Sequence, residues 1–241
     1  MTSQSKRRAL ITGASSGIGK ATALAFAKAG IDVALVSRSQ DKLEAIATTA
    51  REAGVNAKAY VLDLAKLEQV KAGIEAIATD FAPIDILVNN AGMGYTNPLS
   101  ATPLSDWQQV IDLNLTSVFQ CILGILPAMR NQQRGTIINV ASIAGQQPFP
   151  IWGAYNVSKA GLIALSKTLA AEERTHGIRV VTISPGAVNT PLWDTDTVQM
   201  DFNRSAMLTP EIVAQSILHT ALVPEQAVIE SVTLMPSAGT L

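Results

Sequence analysis

Short apolar runs alternate with longer amphipathic ones along the chain. The strand-like runs are Ala9–Ile11, Val33–Val36, Ala57–Leu62, Ile84–Val88, Thr136–Val140, Val180–Ile183 and Val228–Leu234. Several are apolar at consecutive positions, as parallel strands are when helices cover both faces. Helix-like segments lie between them, at about 17–30, 40–53, 66–81, 103–131, 153–176 and 209–222. Gly30, Gly54 and Gly177 stand where helices end, and Thr102-Pro103 reads as an N-cap followed by proline in the first turn. Connections of this length join parallel strands as right-handed βαβ units. The pattern therefore predicts an α/β fold, a doubly wound parallel sheet of about seven strands with helices on both faces. With no linker, repeat or low-complexity tract, residues 1–241 read as one nucleotide-binding domain. Residues 186–208 lack clear periodicity and carry Pro191, Trp193, Met200, Phe202 and Met207, as a functional lid or a disordered segment would.

Between the first strand and the first helix the chain reads Thr12-Gly13-Ala14-Ser15-Ser16-Gly17-Ile18-Gly19-Lys20-Ala21-Thr22. A nucleoside-triphosphate loop needs glycine at Ala14 and a hydroxyl at Ala21, so that motif fails twice. The Gly-x-Gly-x-x-Gly pattern fails at Thr22. The spacing Gly13-x-x-x-Gly17-x-Gly19 remains, and its place decides its meaning. A strand enters it and a helix leaves it, so free N–H groups and the positive end of a helix dipole face whatever sits there. That is a Rossmann-type cradle for the pyrophosphate of a dinucleotide.

Composition removes other classes. Hydrophobic residues make up 48% of the chain and charged ones 15%, which excludes a disordered protein. The net charge is −1 and the one basic run, Lys6-Arg7-Arg8, flanks the first strand, so no nucleic-acid partner is expected. No leader with an apolar core and no run of 18 apolar residues is present, so neither export nor a membrane span is expected, and a cytoplasmic protein is. Cys121 is the single cysteine, lies in an apolar helical run and reads as a small buried hydrophobe. With His176 and His219 the only histidines, no metal site is expected.

Tyr155 and Lys159 stand four apart at the start of a helix and so share a face. Ser142 follows the fifth strand, Asn89-Asn90-Ala91-Gly92 ends the fourth, and Asn114 lies within the next helix. In an open α/β sheet the carboxyl ends of the strands form the ligand crevice, so these groups converge on one cleft. With Thr12-Gly13 to Gly19, Asp63, Pro185-Gly186 and Thr190, they resemble the short-chain dehydrogenase/reductase family, single-domain type, in order and spacing from the first strand almost to the end of the chain.

The resemblance implies an oxidoreductase that reduces a carbonyl to an alcohol, or the reverse. Tyr155 would be the proton donor and acceptor, Ser142 would hold the carbonyl, Lys159 would also hold the nicotinamide ribose, and Asn114 would anchor a proton-relaying water. It assigns the cofactor to Gly13, Ser15, Ser16, Gly17, Ile18, Gly19, Ser37, Arg38, Asp63, Leu64, Asn90, Ala91, Gly92, Tyr155, Lys159, Pro185, Gly186, Val188 and Thr190. A tyrosine titrates near 10, so half-ionisation at neutral pH needs about 4 kcal/mol from nearby positive charge. The alternative is a binding protein of the same fold that senses NADP(H) without catalysis.

The end of the second strand reads Val36-Ser37-Arg38-Ser39, with no acid to bond a ribose 2′-hydroxyl, and Asp41 reads as the cap of the next helix. Arg38 suits a 2′-phosphate, so the expected cofactor is NADP (NADPH), although Ser16 stands where many NADP-using relatives are basic. The expected pocket wall, Ile143, Ala144, Gln147, Phe149, Ile151, Trp152, Gly186, Val188 and Trp193, suits a neutral or long-chain carbonyl compound. The nearest resemblance is to 3-oxoacyl-[acyl-carrier-protein] reductases. Two features depart from it: Ala170-Ala171-Glu172-Glu173-Arg174 is acidic where those relatives are basic, leaving Arg130 and Arg134 as carrier contacts, and the tail reads Met235-Pro236-Ser237-Ala238-Gly239. Leu115, Val118, Ile122, Ile125, Leu162, Leu165 and Leu169 give the two longest helices more apolar surface than one sheet face needs. Relatives pair these helices, so a homotetramer, a dimer of dimers, is expected.

Overall fold

The computed structural model describes residues 6–200 and 203–239. Its strands are β1 (Arg8–Thr12), β2 (Asp32–Ser37), β3 (Ala57–Val61), β4 (Ile86–Asn89), β5 (Gly135–Val140), β6 (Ile178–Pro185) and β7 (Ser231–Leu234). They form one sheet in the order β3-β2-β1-β4-β5-β6-β7, and every neighbouring pair is parallel. The chain winds outward from β1 to β3, returns, and winds the other way from β4. The carboxyl ends of β1 and β4 therefore flank the crevice where the winding reverses.

The helices are α1 (Gly17–Lys28), α2 (Gln40–Glu52), α3 (Leu67–Asp80), α4 (Leu104–Ile111), α5 (Ser117–Gln132), α6 (Gly153–Glu173) and α7 (Pro210–Leu222). Phe26 of α1, Leu43 of α2 and Ile217 of α7 pack on one sheet face with Ala9, Ile11, Val33 and Leu35. Ile74 of α3, Ile125 of α5 and Leu162 of α6 pack on the other with Leu10, Ala34 and Val36. Alternate residues of β1 and β2 thus enter opposite cores, which is why both strands read as unbroken apolar runs. The glycines at 30, 54 and 177 take φ of +80°, +87° and +70° at helix ends, a region a side chain would make costly.

Four expectations change. The segment 103–131 is not one α-helix: α4 and α5 are joined by a π-helical turn, Asp112–Thr116, that inserts an extra residue at Asn114. Pro103, not Thr102, is the N-cap residue of α4, and the Thr102 hydroxyl donates instead to Pro98 O (3.0 Å). Asp41 lies in the first turn of α2, whose N-cap is Ser39. The last strand begins at Ser231, leaving Val228 outside it and 43% exposed.

The continuous helical stretch Leu104–Gln132 is long and apolar enough, by length and composition, to cross a membrane. Here its apolar side chains, Val118, Cys121, Ile122, Ile125 and Met129, are buried within the second core. Gly124 lets it press against α3, since a Cβ there would lie 2.8 Å from Lys71 O and Ile74 Cβ. The surplus apolar face is correspondingly smaller than the sequence suggests. Val118, Ile122, Ile125, Leu162 and Leu169 all belong to this chain's own core, and Leu115 and Leu165 are partly buried against it. Phe119 and Val157 remain exposed, at 42% and 48%. Cys121 is likewise buried, and burial pushes its thiol up to about 12. Phe202 lies outside the described residues.

Candidate active site

One cleft of about 500 Å³ crosses the carboxyl edge of the sheet. Its nucleotide end begins at the β1–α1 loop. Gly13 has φ of +65° and sits so close to the β4 loop that a Cβ would meet Ala91 Cα at 2.8 Å. A Cβ on Gly19 would meet Gly13 O at 2.3 Å. These glycines let α1 start directly against the loop. Thr12 Oγ1 fastens the far side, accepting from Asn90 N (3.0 Å) and Ala91 N (3.2 Å), while Asn90 Nδ2 donates to Thr12 O (3.1 Å). Among the described residues no side chain caps the N-terminus of α1 at Ser16, so its first N–H groups can serve a ligand.

Of the sequence-expected cofactor residues, Gly13, Ser15, Ser16, Gly17, Ile18, Ser37, Arg38, Asp63, Leu64, Asn90, Ala91, Gly92, Tyr155, Lys159, Pro185, Gly186, Val188 and Thr190 line this cleft. Gly19 lies beneath it, packed on Gly13 O. Arg38 is exposed at the rim. Asp63 Oδ1 accepts from Ala65 N (3.1 Å), holding the turn after β3.

The chemical end is built on β5 and α6. Ser142 follows β5 as an N-cap whose Oγ accepts from Ala144 N (3.1 Å), and it also hydrogen-bonds Tyr155. Lys159 Nζ lies 5.7 Å from the centre of the Tyr155 ring and donates to Val140 O (3.0 Å). Burial pulls Lys159 down to about 8. Burial also pushes Tyr155 above its ordinary value, opposed by the hydrogen bond with Ser142. The chain by itself therefore holds its phenol protonated, which is the form a proton donor needs.

Asn114 does not line the cleft. Its Oδ1 accepts from Met93 N (2.8 Å), and its Nδ2 donates to Met93 O (2.9 Å) and Ser158 Oγ (3.1 Å). Ser158 in turn donates to Tyr155 O (2.8 Å). The side chain expected to anchor a water ties the Met93 segment to α6. Sequence reading passed over Ser158, because a serine between an i and i+4 pair carries no motif of its own.

The wall beyond Tyr155 contains Ile143, Ala144, Phe149, Trp152, Gly186, Val188 and Trp193 as expected, but Gln147 and Ile151 are exposed and do not line it. Met93, Gly94, Leu192, Thr195 and Met235 were not expected there. They come from loops whose closeness no local pattern announces. Thr190 to Trp193 and Thr195 line the cleft, in a segment whose described residues, up to 200, form a short 3₁₀ turn and loop. It is pinned to the β4–α4 loop by Thr96 N to Thr197 O (2.9 Å), Thr197 Oγ1 to Gly94 O (2.8 Å) and Gln199 N to Thr96 Oγ1 (2.8 Å). The two arginines expected to face a carrier are engaged: Arg130 forms a two-pronged ion pair with buried Glu173, and Arg134 reaches Asp85 at 3.0 Å.

The profile of the short chain dehydrogenase family matches residues 7–201. A 3-oxoacyl-[acyl-carrier-protein] reductase of Synechocystis sp. is 37% identical over 243 residues, covering 99% of this chain and 98% of the relative. The reductase FabG of Staphylococcus epidermidis is 40% identical over 183 residues, 76% of this chain and 75% of its own. Among solved structures, an alcohol dehydrogenase from the archaeon Thermococcus sibiricus, complexed with 5-hydroxy-NADP, superposes with TM-score 0.89 at 28% identity, covering 98% of this chain and 99% of that one. A metagenomic short-chain oxidoreductase in complex with NADP gives 0.83 at 31%, covering 96% and 97%.

Burying Lys159 should cost stability. A lysine whose folded pKa lies below its unfolded value imposes its full cost below about 8, and that cost vanishes as pH rises towards 10.5. The gap amounts to about 3 kcal/mol at roughly 1.4 kcal/mol per pH unit. Lys159→Met should therefore make the ligand-free protein more stable at pH 7, by up to about 3 kcal/mol, with the advantage fading between 8 and 10.5. Urea unfolding across this range checks it; a variant that loses stability at pH 7 with no such trend would refute it.

Proposed function

The chain belongs to the short-chain dehydrogenase family of oxidoreductases, and from that premise we propose that it interconverts a carbonyl compound and its alcohol with NADP(H), Tyr155 carrying the proton. The observation that supports this most directly is that Ser142, Tyr155 and Lys159 line the same cleft as the glycine loop and Arg38. The residues fit a dinucleotide. The uncapped N-terminus of α1 offers N–H groups to a pyrophosphate, and Gly13 and Gly19 leave no side chain in its way. When bound, the dinucleotide supplies or takes up the hydride.

The chain's own groups do the rest. The Ser142 hydroxyl orients the substrate oxygen beside Tyr155. Tyr155 gives its proton to that oxygen in reduction and takes it back in oxidation. Lys159, with Val140 O as its hydrogen-bond acceptor, keeps a positive charge beside the phenol and holds the nicotinamide ribose. Asn114 is a positioning residue, acting through Met93 and Ser158. A sensing role without chemistry would not require these groups to converge.

NADP is the favoured cofactor. Arg38 stands at the rim where β2 ends, and Asp41, turned into the first turn of α2, does not replace it. Two structural relatives carry NADP or a derivative of it by name. A carrier-linked 3-oxoacyl thioester, suggested by the names of the sequence relatives, gains no support from Arg130 or Arg134, both already paired. A free carbonyl compound fits better. The whole chain acts as one domain, in the cytoplasm, and as a homotetramer paired through the α4–α5 and α6 faces, where Phe119 and Val157 remain uncovered.

Three outcomes test this reading. NADPH should be oxidised in the presence of neutral ketones, and Tyr155→Phe should lower kcat by about 10²- to 10⁴-fold with little change in NADPH affinity; equal turnover by the variant would remove Tyr155 from the chemistry. Arg38→Ala should weaken NADPH binding by about 10- to 150-fold, the worth of one charge-assisted bond, and leave NADH nearly unchanged. An equal loss for both cofactors, or a wild type that prefers NADH, would show that Arg38 does not read the 2′-phosphate. Light scattering at micromolar concentration should give a tetramer, and Phe119→Glu should split it; a monomeric wild type would count against the assembly.

A further inference from the structure

The substrate end of the cleft has an aromatic arrangement that the proposed reaction does not require. Trp152 packs edge-to-face on Tyr155, with ring centres 5.3 Å apart and planes at 65°. Trp193 packs on Trp152 in the same manner, at 5.7 Å and 73°. The two indoles come from different parts of the chain, one from the residue before α6 and the other from the segment folded over the cleft, and both line the cavity.

Each indole N–H is directed to the protein. Trp152 Nε1 donates to Met200 Sδ (3.2 Å) and Trp193 Nε1 to Val188 O (2.8 Å). These bonds fix the ring orientations of two side chains that line the cleft. Trp152 is 8% exposed, so its orientation is also set by packing. Among the described residues lining the cleft the charged ones are Arg38 and Asp63, at the nucleotide end, and Lys159, bonded to Val140 O. No charge is therefore provided for an anionic substrate near the tryptophans. The segment above them carries Asp194, paired with Arg204 at 2.6 Å, and exposed Asp196, which is a poor entrance for a phosphate-bearing carrier.

Two steeply inclined rings make an angular corner. A flat ring placed in it meets one indole face-to-face and the other edge-on, the two geometries aromatic pairs prefer. A saturated chain buries the same area without that gain. Because Trp152 packs on the Tyr155 ring, the corner adjoins the side chain that carries the proton, and a ring held there is attached at the carbonyl carbon.

We propose that Trp152 and Trp193 are specificity-determining residues that select neutral aryl ketones. The inference rests on the reductase reading above and names the substrate class for it. The carbonyl carbon gains hydride, the oxygen gains the Tyr155 proton, the product is a secondary benzylic alcohol, and the reduced dinucleotide leaves oxidised.

The test compares acetophenone with cyclohexyl methyl ketone, which differ in aromaticity and little in size. Dissociation constants are measured with the protein saturated with NADP⁺, where no reduction occurs, and kcat/KM is measured with NADPH. The aryl ketone should bind more tightly and have the higher kcat/KM, each by about 2- to 13-fold. Trp193→Leu should bring both ratios close to one, and Trp193→Phe should restore most of the preference. Equal affinities in the wild type, an unchanged ratio in Trp193→Leu, or a higher kcat/KM for an acetoacetyl N-acetylcysteamine thioester would overturn the proposal. If no ketone oxidises NADPH, the reductase reading falls, and the two affinities still decide for or against the aromatic corner. Should Trp193→Leu fail to fold, Trp193→Met, likewise non-aromatic, carries the same comparison.

Discussion

A buried ammonium without an acidic partner organises this cleft. Among the described residues Lys159 forms no ion pair, and the hydrogen bond it donates goes to Val140 O. Its charge is therefore available to whatever occupies the space beside Tyr155. Keeping it there demands close packing from several directions. A Cβ on Gly145 would strike the Lys159 carbonyl at 2.7 Å, and one on Gly92 would lie 3.0 Å from Asn114 Oδ1 and 3.6 Å from Nζ. The loops after β4 and β5 press on the helix of Tyr155 because these two positions have no side chain. The extra residue of the π-turn brings Asn114 within reach of both Met93 and Ser158. An interior this dense does not tolerate an added methyl group without displacement.

Much of this was legible because the fold makes two different demands on its strands. Sheet positions must be apolar on both faces, and the carboxyl ends must carry polar groups. Leu10 and Ile11 announce the first demand and Thr12-Gly13 the second; Leu87 and Val88 followed by Asn89-Asn90 repeat the change on β4. Elements were therefore readable to within a few residues. Local capping was less so. Thr102 fits an N-cap by type, yet its hydroxyl was taken by Pro98 O, and Asp41 stands two residues past the true cap. A cap depends on which carbonyl or N–H the turn happens to present, and that is a matter of geometry that residue type does not fix.

What the sequence concealed has a common physical cause: the partner lies far along the chain. The π-turn has no sequence signature apart from an asparagine in a helix, and Asn114 takes its meaning from Met93 and from Ser158, 44 residues on. The apolar surplus of α5 and α6 looked like interface because periodicity counts apolar positions without saying what will cover them. Here α3 and β5 cover most of α5, and the uncovered remainder is narrow. Arg130 shows the same limit for charge. Read alone it is a free cation near the mouth of the cleft, but in the structure Glu173 is buried beneath it and held below the ordinary carboxylate range by that guanidinium. The carboxylate cannot be left alone there without a large penalty, so the arginine is not free to bind an acidic partner.

The same long-range closure makes the aromatic corner a property of the fold and not of any one segment. Trp152 is placed by the start of α6, whereas Trp193 is placed by a segment that bonds to Val188 O and to the Gly94–Thr96 loop. That loop is in turn fixed at Met93 by Asn114. The bonds from Ser158 through Asn114 and Met93 thus run into the loop that helps hold the Trp193 segment. A substrate that wedges the corner open would strain the loop beside Met93, which Asn114 and Ser158 link to the Tyr155 backbone. A poorly fitting substrate therefore loses both binding and alignment, so discrimination is expected in kcat as much as in KM.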